Sequence, residues 1–177
     1  LYYCDFYKML VRINNQDNWR ELLGKPTQDL HSNDIELILR SIALLHENET
    51  YAPKMVKFLN DFSQKTKKFD NEYIDYIEHL FNSFIEACST LGDKAFFRNS
   101  RFSKTLFESV FVAVAIPSFV DQKIITSKIE PTSFEYLRND EEFVSYLQSG
   151  SSSRDNIKGR IKRAKEVLKL QGENCNA

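Results

Sequence analysis

The stretch Asn33-Asp34-Ile35-Glu36-Leu37-Ile38-Leu39-Arg40 constrains the fold more than any other part of the chain. Asn33 can cap a helix through its side-chain oxygen while Glu36 reaches back to the cap amide, a capping box with Asn in the Ser/Thr place. From there Ile35, Ile38, Leu39, Ile42 and Leu45 recur at helical spacing, and Leu37 and Leu44 add apolar surface on the far side. A helix apolar on nearly every face has to be wrapped by others, so the spacing predicts a central, buried element. Glu36 and Arg40 stand one turn apart in the acid-before-base order and are expected to form a structural ion pair.

The same period runs through the rest of the chain. Tyr3, Phe6, Tyr7, Leu10 and Ile13 form one stripe, and Trp19, Leu22 and Leu23 a second that ends at Gly24 with Pro26 beyond, so two short helices are expected before residue 30. Pro53 suits a first helical turn ahead of Met55, Phe58, Leu59 and Phe62, with a polar linker from Gln64 to Lys68. Asp70 is placed to cap the longest helix, whose stripe is Tyr73, Ile77, Leu80, Phe81, Phe84, Ile85 and Cys88 and whose end is Gly92. Residues 93–102 read as a loop or short turn. Ser103 can cap a helix carrying Leu106, Phe107, Val110, Phe111 and Val114 and closed by Pro117. The β-branched residues of Val110 to Val114 would also suit a strand, but the single face those five residues keep favours helix. Short helices are expected around 118–128 and 139–148, the second with Asp140, Glu141 and Glu142 at its dipole-favoured start. Ser149-Gly150-Ser151-Ser152-Ser153 is a flexible joint that offers a cap, and a last helix over 153–170 has a thin stripe of Ile157, Ile161, Ala164 and Leu168.

The expected fold is therefore all-α: a single multi-helix domain of about seven to nine helices with a basic C-terminal helix. Residues 1–148 would form the bundle-like body, and residues 149–177 the joint and last helix, docked on the same domain. Fourteen Phe and 8 Tyr within a 42% hydrophobic composition exclude wholesale disorder and imply a large aromatic core. A formal charge of −1, from 24 basic and 25 acidic residues, gives no global field toward nucleic acid or anionic membrane. Cys4, Cys88 and Cys175 are scattered and odd in number, as expected of reduced thiols in a cytoplasmic protein. The longest apolar run, Val110 to Ile116, is far short of the roughly 20 residues that span a bilayer, so no membrane partner is expected. The start at Leu1-Tyr2-Tyr3, without Met and inside an amphipathic pattern, is what a fragment of a longer chain would show.

Catalytic and cofactor chemistry is hard to build from these residues. His31, His46 and His79 are dispersed, and His46-Glu47-Asn48-Glu49-Thr50 lacks a second histidine, so no metal site is expected. The glycines 24, 92, 150, 159 and 172 never cluster into a phosphate-cradling loop, and no cofactor is expected. Ser103 and Cys88 lack a partnered base and read as a cap and a core thiol. The clearest sign of an enzyme would be Asp34, Glu36 and Glu108 lining one deep cleft. The charged cluster that stands out is the last helix, where Arg154, Lys158, Arg160, Lys162, Arg163, Lys165 and Lys169 outnumber Asp155 and Glu166. Arg154, Lys158, Arg160, Lys162 and Arg163 are the candidate nucleic-acid-binding residues, since a few phosphate contacts dominate non-specific affinity. A solvated face on a docked helix is the competing reading. Tyr2, Tyr3, Tyr7 and Trp19 could stack on bases, but their spacing suits a core.

Several segments carry a family resemblance. Leu1-Tyr2-Tyr3-Cys4-Asp5-Phe6-Tyr7, Asn18-Trp19-Arg20-Glu21-Leu22-Leu23-Gly24, Asp34-x-Glu36-Leu37-x-Leu39-Arg40, the Tyr51 to Phe62 stretch, Phe102-x-x-x-Leu106-Phe107-Glu108 and the joint from Ser151 to Arg160 occur in order. Together they resemble the helical region of a bacterial family with an N-terminal ParB/sulfiredoxin-like nuclease domain, which includes GmrS of the GmrSD restriction enzymes and the SspE and BrxU phage-defence proteins. That family's catalytic motif is of the Asp-Gly-x-x-Arg type, and this chain has no Asp-Gly dipeptide and no His-Asn-His nuclease signature. The resemblance thus implies a non-catalytic helical module whose partners would be an N-terminal ParB-like domain of the same protein, double-stranded DNA, or further copies of itself. The parent protein would be a nucleotide-stimulated DNA nuclease. A structural or oligomerisation domain with no nucleic-acid contact is the alternative.

Overall fold

The computed structural model describes residues 4–28, 32–148 and 150–172. Tyr2, Tyr3, His31, Ser149 and Cys175, and with them parts of the first stripe, the joint and the cysteine reading, lie outside the described residues. The described elements are α1 (Asp5–Asn14), α2 (Asp17–Leu23), α3 (Asn33–Glu47), α4 (Met55–Thr66), α5 (Asn71–Ala87), a 3-10 turn (Cys88–Thr90), β1 (Phe97–Arg98), β2 (Arg101–Phe102), α6 (Lys104–Val120), α7 (Pro131–Asn139), α8 (Glu141–Tyr146) and α9 (Arg154–Val167). Among the described residues the protein is all-α apart from one antiparallel hairpin, in which Phe97 faces Phe102 and Arg98 faces Arg101, and an isolated bridge between Ile129 and Leu170.

The innermost element is α6, not α3 alone. Leu106 through Ala115 are all buried without a break, which is the burial expected of a helix apolar on every side. Surrounding helices close on it: α3, α5 and α9 all pack against α6. Between them sits an aromatic cluster in which Phe107 meets Trp19 at 5.2 Å, Phe84 at 5.6 Å and Phe96 at 5.2 Å between ring centroids. The Val110 to Val114 stretch is helical, because its neighbours supply apolar contacts on all sides and not on the two faces of a sheet.

Side-chain caps set the starts of α5, α6, α8 and α9. The carboxylate of Asp70 accepts from the Tyr73 amide at 2.8 Å, and Ser103 Oγ accepts from Leu106 N at 3.3 Å. Asp140 accepts from Phe143 N at 2.9 Å and Ser153 from Asn156 N at 3.2 Å. At α3 the expected cap moves by one residue: Ser32, at φ 57°, precedes the helix and its carbonyl takes the Glu36 amide at 3.0 Å, so Asn33 is the first helical residue. Similarly Pro53 stays outside α4, which is entered through Lys54 at φ 91°. That helix runs on to Thr66, so the expected linker at Gln64 to Lys68 is mostly helical.

Three expectations in the second half are revised for identifiable reasons. Pro117 does not close α6, which continues to Val120; the proline forfeits its own bond to the preceding turn, but the amides after it still donate, with Asp121 N on the Pro117 carbonyl at 3.2 Å. Residues 121–130 are then irregular, and the helix expected around 118–128 is replaced by α7, with Pro131 at its first turn. Residues 93–102 hold the hairpin, whose Asn99 and Ser100 both have positive φ, as a two-residue type I′ connection requires.

The last helix is docked on the body. Ile157, Ile161 and Ala164 are buried as their spacing predicts, and α9 packs on α6, α7 and α8. The chain after it returns to the body: Glu130 N donates to Lys169 O at 2.9 Å and Gln171 N to Lys128 O at 2.8 Å. Among the described residues, no helix is long and apolar enough to cross a membrane.

Candidate functional site

The polar centre of the molecule is a ladder of charges that runs from α3 through α6 to α9. Glu108, on α6, is fully buried, and a carboxylate in that position requires donors. Arg40 Nε donates to its Oε1 at 2.7 Å, and Arg160 Nη2 to its Oε2 at 2.9 Å. Arg160 is itself 0% exposed, and its Nη1 donates onward to the Ser151 carbonyl at 2.8 Å. Its Nε is buried with no partner. The Tyr51 hydroxyl donates to the adjacent Ser152 carbonyl at 2.8 Å. Burial raises the Tyr51 hydroxyl above its ordinary pKa, and the guanidinium groups of Arg40 and Arg160 oppose that rise. Two guanidinium groups on one carboxylate thus clamp three helices together and hold the serine joint by its carbonyls.

The ladder revises two readings. Glu36 and Arg40 do face each other, at 3.8 Å, but Glu36 is half exposed and that distance is beyond a hydrogen bond. The principal partner of Arg40 is Glu108, 68 residues away in sequence. Arg160 is not available to nucleic acid, because its charge is spent on Glu108 in the interior.

The other candidates on α9 divide by the face they occupy. Arg163 is 23% exposed and donates to Asp140 from Nε at 3.0 Å and from Nη2 at 2.7 Å, with Glu142 and Glu166 also close. These bonds hold the Asp140 carboxyl below its usual range. Lys158 pairs with the exposed Glu49 at 3.2 Å, and Lys162, 80% exposed, approaches Glu166 at 3.9 Å. Arg154 and Lys165 are exposed and make no ion pair among the described residues. Lys158, Lys162 and Lys165 line one shallow groove of about 380 Å³ with Asn48, Glu49 and Glu166. The outward charge of α9 is therefore much smaller than its composition suggests.

The acids that would have marked an enzyme do not converge. Asp34 is buried and takes Arg20 Nη1 at 3.0 Å and Nη2 at 2.9 Å, in a network that also holds Asn14 Oδ1 and joins α1, α2 and α3. Glu108 is enclosed by the ladder. Glu36 lines a separate, largely apolar cleft of about 410 Å³ between α1, α3 and α4, with Arg40, Leu39, Met55 and Leu59 among its walls. His46 sits in an aromatic cage, its ring 4.8 Å from Phe119 and 5.2 Å from Phe62, with Nδ1 on the Ile42 carbonyl and Nε2 on the Tyr73 hydroxyl, each at 2.8 Å. Burial lowers its pKa. Cys88 is a buried free thiol whose pKa burial raises well above the ordinary value. Among the described residues, no group of three His, Cys, Asp or Glu is placed to hold a metal ion.

Sequence reasoning missed Glu108 as the hub and Arg160 as its second donor. A lone acid inside the apolar run of α6 was the available signal, since a carboxylate is almost never fully buried unless paired. The chain matches no family model, no curated protein and no solved structure.

Proposed function

We propose that this chain is a non-catalytic helical module that supports a ParB-like nuclease domain in a cytoplasmic defence or restriction protein. The observation that carries the supporting role is the Arg40–Glu108–Arg160 ladder, which joins the basic last helix to the centre of the body. Buried, paired charges favour one arrangement of helices over its competitors, the property a platform for another domain needs. The association with a nuclease rests on the sequence resemblance.

Contact with DNA in this reading runs through what α9 still presents outward, Arg154, Lys158, Lys162 and Lys165, and no longer through Arg160. The test is binding of a short DNA duplex at two salt concentrations by the wild type and by Lys158→Ala/Lys162→Ala/Lys165→Ala. Binding that falls steeply with salt and is weakened in the triple variant supports the α9 contact. Equal binding by the two proteins removes α9 from the reading. A second reading is a structural or oligomerisation domain with no nucleic-acid contact, favoured by the internal pairing of Arg160 and Arg163. It predicts no duplex binding at low salt and a concentration-dependent mass in sedimentation.

A further inference from the structure

From Lys94 to Phe107 the chain carries Lys94, Arg98, Arg101 and Lys104 and no acidic residue, interleaved with Phe96, Phe97, Phe102 and Phe107. Folding turns this stretch into the hairpin and the first turn of α6 and lays it against the end of α2. The result is a groove of about 390 Å³ whose walls include Lys25, Arg101, Lys104 and Ser100, with Phe97 and Phe102 behind them. From this geometry we infer that the groove is a binding site for phosphate groups.

Three observations carry the inference. First, Arg101 and Lys104 make no ion pair among the described residues, whereas Arg40, Arg160 and Arg163 all do. The acid in the groove, Asp34, is buried against both terminal nitrogens of Arg20, and its other oxygen lies 3.2 Å from Lys25. Second, the cations stand on a rigid mount. Arg98 Nη1 donates to the Arg138 carbonyl at 2.7 Å while Arg138 Nη2 donates to the Phe97 carbonyl at 2.9 Å, so hairpin and α7 hold each other reciprocally. Gly24, at φ 63°, lets the Phe97 ring lie against the end of α2, where a Cβ would stand 2.9 Å from the ring. Third, Lys104, the first residue of α6, lines the groove, so the positive end of a 17-residue helix dipole adds to the side-chain charge there. Two cations with no ion pair among the described residues, beside the N-terminal end of a helix, match the donor requirement of a phosphate oxyanion.

The phosphate could belong to a small anion or to a nucleic-acid backbone, and the inference stands independently of whether α9 touches DNA. The test is a titration of ¹⁵N-labelled protein with inorganic pyrophosphate and, separately, with a short DNA duplex at low salt. Both arms use a Lys158→Ala/Lys162→Ala/Lys165→Ala background. Saturable shifts are expected at the amides of residues 24–25 and 98–105, with affinity reduced at least about tenfold in Arg101→Gln/Lys104→Gln, the equivalent of losing one charge-assisted hydrogen bond. Lys25→Gln, on a different element, provides the second variant should the first disturb the fold. Saturation by pyrophosphate marks a small-anion site, and saturation by the duplex alone a backbone site; either supports the proposal. No saturable shift with either probe, or unchanged affinity in both variants, overturns it.

Discussion

Glu108 is the residue on which most of the molecule's polar design depends, because it places a full negative charge where no water reaches. Its two guanidinium partners offset the desolvation, and removing either side of such an arrangement leaves a buried charge uncompensated. Glu108→Met strands both guanidinium groups and is therefore expected to destabilise the protein by about 3–5 kcal/mol in chemical denaturation. Arg40→Met/Glu108→Met/Arg160→Met, which removes all three charges of the ladder, should recover most of that loss; a triple variant no more stable than the single one would rule out the ladder as the cause. His46 behaves oppositely, as a group the fold keeps neutral. Its folded pKa lies below the unfolded value, so the unfolded chain binds more protons as the pH falls. Stability is thus expected to decline as pH drops below about 6.5 and to level off once the folded ring titrates. The midpoint of urea unfolding at pH 7 and pH 5 should differ less in His46→Phe than in the wild type.

At the level of single elements, the short contacts that fix helix ends and helix neighbours can outweigh intrinsic preference. Gly159 lies inside α9, where alanine would ordinarily gain up to about 1 kcal/mol. Its hydrogen faces the Tyr146 ring of α8, and a Cβ there would stand 2.5 Å from the ring carbon that bears the hydroxyl. Gly159→Ala is expected to lower the melting temperature, and the same change in a Tyr146→Ala background to raise it. A gain in both backgrounds would show that α8 and α9 are not held by this contact. For α5, Asp70→Ala removes the bond to the Tyr73 amide and should cost about 1 kcal/mol. How far such elements could be read in advance depended on locality. The caps at Asp70, Ser103 and Ser153 were legible because cap and capped amide are three residues apart. The hairpin was not, since Asn-Ser carries a weaker turn signal than Asn-Gly and its strands are two residues long. Pro53 and Pro117 misled for the same reason: proline marks a boundary without saying on which side of it the helix lies.

Across the whole molecule, α9 completes the core instead of hanging from it. It covers α6 and supplies the second donor to Glu108, so the body and the last helix are expected to unfold together. Far-UV circular dichroism and Trp19 fluorescence should report the same thermal midpoint, and a chain ending at residue 148 should lose its cooperative transition. Two separate midpoints would make α9 an independent appendage.

What the sequence determined by itself was the class of fold, the identity of nearly every helix in the first half and the apolar stripe by which α9 docks, because periodicity and caps are local properties written within a few residues. It also determined that α9 is basic. Only the tertiary structure decided what that charge is for. Arg160 turns inward to a carboxylate 52 positions earlier, Arg163 is taken up by Asp140, and among the described residues cations without an ion pair include Arg154 and Lys165 on α9 as well as Arg101 on the hairpin and Lys104 at the start of α6. Pairing between charges is a matter of distance in space, and the burial that makes a pair strong is created only when distant helices close around it.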